Sequence, residues 1–89
     1  MTPVAGETAD SEPALREVAA EVFGSWVDGT SALFALRGLA DADARDLAFA
    51  VISALEGAFV LARTLRSDEP LIAAGRVMGA AARETPVAR

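Results

Sequence analysis

The amino-acid sequence predicts an all-α fold of three antiparallel helices, and three observations carry that prediction. Apolar residues recur at three- and four-residue steps over long stretches, which is the periodicity of a helix covered on one side. No segment shows the apolar–polar alternation of a half-buried strand. Helix start and stop signals divide the chain into three, joined by the short links Arg37–Ala40 and Ser67–Asp68. Connections that short make consecutive helices antiparallel neighbours.

The first helix is expected over Ser11–Leu36. Ser11 can cap its start, and Pro13 is tolerated in a first turn because its missing N–H has no helical partner there. Leu15, Val18, Ala19, Val22, Phe23, Trp26, Val27, Leu33 and Phe34 form its apolar side. Gly24 and Gly29 weaken it by about 1 kcal/mol each relative to alanine, so a bend or loosened turn is expected near Gly29. Gly38 stands where glycine relieves a left-handed helix cap. The second helix starts at Asp41 or Asp43, acids that suit the positive helix N-terminus, and runs to about Arg66. The third follows Ser67-Asp68-Glu69-Pro70 and runs from Leu71 to about Arg83. Residues 1–10 and 85–89 read as flexible ends of a helical domain spanning 11–84.

Composition narrows the function. With neither cysteine nor histidine, the chain has no disulfide, no thiol chemistry, no Ser-His-Asp or Cys-His arrangement and no histidine-based metal site. Glu17/Glu21 and Asp41/Asp43/Asp46 read as solvated acids rather than an acid–base pair. An enzyme, a cofactor and a metal are therefore not expected. The net charge of −5, from thirteen acids against eight arginines, leaves no basic face for nucleic acid. Residues 1–10 lack the basic start and apolar run of a secretory signal. The most apolar stretch, Leu47–Ala62, would span about 24 Å as a helix, short of roughly 30 Å of hydrocarbon, and it contains Glu56. A cytoplasmic chain without a membrane span is expected.

Such a chain needs a partner. Its apolar fraction is 53%, high for 89 residues, and no crosslink or metal is available to supplement a small core. Leu47–Ala62 is apolar nearly all the way round, which implies contacts on more than one side. Within it Ala50, Ala54, Ala58 and Ala62 make a row of small side chains, with Gly57 alongside, and Gly75 and Gly79 repeat the spacing on the third helix. Small rows let helix backbones approach closely. The chain's 21 alanines make the spacing partly a matter of composition, but the all-round apolar character is not. A helical interface between two copies is expected there, involving Ala50, Ala54, Gly57, Ala58, Leu61, Ile72, Gly75 and Gly79. Glu56 in that stretch must reach water, Arg63 or a partner's arginine. Phe23, Trp26, Phe34 and Phe49 read either as core or as the wall of a small-molecule pocket.

Phe23-x-x-Trp26, then Arg45-Asp46-Leu47-Ala48, then Leu55-Glu56-Gly57-Ala58 leading to Leu61-Ala62-Arg63 and Arg66-Ser67-x-Glu69-Pro70-Leu71, resemble the C-terminal region of TetR-type transcriptional regulators, in particular the multidrug-responsive repressors. The likeness runs from about Val4 to Ala82. It implies that the second and third helices pair with those of another subunit as a four-helix bundle, and that the first helps to wall a pocket for a small apolar effector. The family's N-terminal helix-turn-helix has no counterpart in these 89 residues. The expected function is thus dimerisation and partial ligand sensing for a TetR-like regulator, without a DNA-binding module. The alternative is a small helical adaptor that forms mixed dimers with a full-length regulator.

Overall fold

The structure, a computed structural model, describes residues 13–88. It contains α1 (Pro13–Leu36), α2 (Asp41–Leu65) and α3 (Glu69–Glu84) and no strand among the described residues. The all-α expectation holds. The flexible segment expected over 1–10 and the Ser11 cap lie outside the described residues. The helical turns of α1 continue through Gly29, so no loosened turn forms there.

α2 packs against both neighbours, while α1 and α3 do not pack along their lengths. The result, over the described residues, is one layer of helices. The layer has little inside. Among the described residues only Val27, Leu39, Ala44, Leu47, Ala48 and Ala58 are buried hydrophobics, and no large side chain is fully enclosed.

What core exists lies at one end, where α1 stops, α2 starts and α3 stops. Leu39, Ala44 and Leu47 form its centre, with Phe34, Ala35, Val51, Ala81 and Ala82 packed around them. Gly38 builds this junction. Its φ of 105° closes α1, so that the N–H of Gly38 donates to the Ala35 carbonyl (3.0 Å) and that of Leu39 to the Phe34 carbonyl (3.2 Å). This is the paired capping pattern in which the residue after the left-handed one contacts the apolar residue a turn and a half earlier. Here that contact is Leu39 on Phe34.

The tail reinforces the junction. Residues 85–89 read from the sequence as loose, yet Val87 bridges antiparallel to Leu39, and the Ala88 N–H donates to the Gly38 carbonyl. The Thr85 hydroxyl also donates to the Ala81 carbonyl at 2.7 Å. Backbone pairing holds the return, since the Val87 side chain stays exposed, and nothing in the composition of so short a segment announces it.

The other helix ends use different devices. Asp41 and Asp43 sit in the first turn of α2, and no side chain caps it; its start follows extended Ala40. At the far end Arg66 takes the left-handed conformation (φ 54°, ψ 49°) and the Ser67 N–H reaches the Ala62 carbonyl at 3.0 Å. At the start of α3 the Ser67 hydroxyl, rather than the Asp68 carboxylate, accepts from the Glu69 N–H at 3.1 Å.

Two substitutions test these turns in opposite directions. Gly38→Ala forces a Cβ into the left-handed region and within 3.4 Å of Val87, and should cost about 1–2 kcal/mol. Arg66→Gly removes a similar strain and should stabilise by up to about 1 kcal/mol. Urea denaturation followed by far-UV circular dichroism measures both; equal and small effects would contradict the assignment of strain to these positions.

Candidate functional site

The helix periodicity separates residues that the sequence places together. Val27 and Phe34 turn toward α2, whereas Leu15, Val18, Val22, Trp26, Leu33 and Leu36 stay exposed. At about 100° per residue those six share the side of α1 away from Val27. The apolar stripe of α1 is therefore two stripes, and only one is covered within the chain.

The four aromatic residues proposed as a pocket wall part company accordingly. Phe23 and Trp26 meet edge to face, with centroids 5.2 Å apart and planes at 86°, but both are exposed, Trp26 at 47%. Phe49 is also exposed, and the Arg45 guanidinium lies 5.2 Å from its ring centre. The same guanidinium bonds Asp28 at 3.0 Å, tying α1 to α2. Both partners of that ion pair are largely solvated, so it fixes geometry more than it stabilises. Phe34, by contrast, lines a cavity.

It lines two. A cleft of about 330 Å³ is bounded by Leu33, Phe34, Arg37, Leu39, Ala82 and Arg83. A second, of about 280 Å³, runs along the α2–α3 seam between Val51 and Leu55 on one side and Ala74, Met78 and Gly79 on the other, ending on Phe34 and Ala82. The reading of aromatic residues alone misses Leu33, Arg37, Leu39 and Arg83. A signal for Leu39 was available: a glycine closing a helix brings the next residue onto the helix's last apolar turn. The contribution of α3's last turn depends on how α3 packs and has no local signal.

The residues proposed for an interface are also sorted by geometry. A step of four residues advances about 40° around a helix, so four such positions drift across about 120°. Ala50 is accordingly exposed, Ala54 half-buried and Ala58 only 4% exposed. Ala58 is already covered within the chain. Gly57 and Leu61 remain exposed, Leu61 at 52%. On α3, Ile72 (51% exposed) and Gly75 are open, and Gly79 is half-buried. Glu56 is exposed on α2 and makes no ion pair.

The helix that carries most of these positions is longer than its apolar centre. α2 has 25 residues and is long and apolar enough, by length and composition alone, to cross a membrane. That test also passes soluble helices that pack on several sides, and α2 lies between two helices of its own chain.

The described residues thus form an open all-helical layer with a small core at one end and apolar residues on its faces. A family model describing the C-terminal domain of LmrA/YxaF-like transcriptional regulators matches residues 1–77, and the chain belongs to that family of TetR-like regulators. No curated protein and no solved structure matches the chain. The family is regulatory rather than enzymatic.

The geometry makes Phe34 structurally central and Trp26 peripheral. Phe34→Ala should destabilise the chain by about 2 kcal/mol or more, and Trp26→Ala by less than half as much. Urea midpoints from far-UV circular dichroism compare them. A larger loss for Trp26→Ala would show that its face is covered in solution.

Proposed function

We propose that this chain is the dimerisation and effector-sensing module of a TetR-like transcriptional regulator, pairing with a second copy through the exposed faces of α2 and α3. C-terminal domains of this family generally dimerise and bind small-molecule effectors, and such regulators are soluble and cytoplasmic. The observation that carries the reading is the imbalance of apolar surface. Sixteen large hydrophobic side chains are exposed among the described residues, against six buried hydrophobics of which three are alanine. Apolar faces open on that scale are what a second chain would cover.

On this reading Ala50, Gly57, Leu61, Ile72, Gly75 and Gly79 form the contact, with the small residues admitting close helix approach. Ala54 and Ala58 support it from beneath, packed within their own chain. The effector is a small apolar molecule held at the Phe34 junction, where all three helix ends meet and where a ligand can alter how α1 and α3 sit on α2. Direct nucleic-acid contact forms no part of the reading. A second reading, the adaptor that binds a different regulator chain, draws on the outward stripe of α1. Pairing of α2 and α3 leaves that stripe uncovered, so a further helix has a place to dock.

Leu61→Glu separates association from folding because Leu61 is exposed in the single chain. Light scattering during size exclusion should give twice the 9.2 kDa chain mass for the wild type. It should give the single mass for Leu61→Glu, with helical circular dichroism retained. A wild-type monomer at all concentrations, or a fully dimeric Leu61→Glu chain, would remove the proposed interface.

A further inference from the structure

We infer that the cleft at the Phe34 junction takes a compact organic anion, an apolar body bearing a carboxylate or similar head, in preference to a neutral or cationic molecule. The inference rests on the reading of this junction as the effector site and adds the chemical class of the ligand.

The walls of the cleft divide by chemistry. Leu33, Phe34, Leu39 and Ala82 give it an apolar lining, and Arg37, just after α1, and Arg83, in the last turn of α3, complete it. Among the described residues no aspartate or glutamate lines it. Among the described residues neither Arg37 nor Arg83 has an ion-pair partner, whereas Arg45 is bonded to Asp28. In a chain with thirteen acids and eight arginines, two arginines and no acid among the described residues lining one apolar cleft are a local reversal of the overall charge.

Helix ends account for part of this and not for all of it. A cation is favoured in the last turn of a helix, where Arg83 lies, and just beyond one, where Arg37 lies. That preference would be met by arginines pointing anywhere around the two helix ends. It does not require both to line the same apolar cleft. Glu84, the nearest acid in sequence to Arg83, is set about 100° around α3 from it and does not line the cleft.

The lining is held in place independently of any ligand. Leu39 is fixed by the Gly38 turn on one side and by the Val87 bridge on the other. The volume of about 330 Å³ lies at the small end of ligand sites, which span about 300–1,000 Å³, and so favours a compact molecule. Guanidinium groups present planar donors that match a carboxylate, and a hydrogen bond to a charged acceptor is stronger than one to a neutral acceptor.

The test uses the full chain and three probes of equal chain length: octanoate, 1-octanol and octylammonium. Affinity is read by calorimetry, and position by the amide signals of Gly38, Leu39 and Arg83 in a nitrogen-15 correlation spectrum. Octanoate should shift those amides and bind about tenfold tighter than octanol, with octylammonium weaker than both. Arg37→Gln and Arg83→Gln should each lower octanoate affinity about fivefold or more and leave octanol unchanged, while Arg37→Lys retains part of the preference. Equal binding of octanoate and octanol to the wild type would overturn the anion preference and leave the effector site standing. Shifts confined to amides elsewhere would overturn both. The wild-type comparison decides the matter even where a variant folds poorly.

Discussion

The junction around Leu39 is the constraint from which the rest of the structure follows. A left-handed residue after Leu36 returns the chain onto α1's last apolar turn, and only glycine adopts that conformation without a steric penalty. Because Gly38 sits there, Leu39 lands on Phe34 instead of in solvent, and α2 begins at once in the opposite direction. α3 returns alongside α2 and brings Ala81 and Ala82 to the same place. Three helix ends thus share one small core, and the cleft between them is a consequence of the meeting. The same geometry that gives the domain its core gives it its candidate site.

Away from the junction the described residues form no second layer. α1 and α3 reach α2 from its flanks and do not close over it, so the faces of the layer retain apolar side chains. In water such faces are unfavourable in proportion to their area. Two surfaces are left this way: the exposed part of α2 and α3, where small residues such as Ala50, Gly57 and Gly75 stand among large ones such as Leu61 and Ile72, and the outward stripe of α1, built from large ones. Small residues allow close helix approach, whereas Leu15, Val22, Trp26 and Leu33 present side chains of the size that interdigitates with another element.

Helix number, order and boundaries were legible in the sequence because they depend on local signals: Pro13, Gly38, Asp41 and the Ser67–Pro70 segment each act on their own neighbourhood. The site was legible only in part. Phe23, Trp26 and Phe34 share a sector of α1 wide enough that one edge faces α2 and the other faces away, and periodicity alone does not say where the boundary falls. The alanine row of α2 failed to define one face for the related reason that a strict four-residue spacing rotates around the helix. Arg37 and Arg83 are far apart in sequence and come to line one cleft only through the packing of α3, which no local pattern encodes.

The two arginines also bear on how binding and association can be coupled. A ligand that bridges Arg37 and Arg83 joins the end of α1 to the end of α3, two helices that otherwise do not pack along their lengths. Such a bridge restrains the angle between them, and with it the disposition of α3's exposed face relative to α2. If α2 and α3 form the dimer contact, the effector acts on the interface without touching it, through a rigid helix anchored at the occupied end. Coupling of this kind requires that the ligand bind one arrangement of α1 and α3 better than another. The flat layer permits that, since no second layer of helices fixes the two against each other, and a compact three-helix bundle would not.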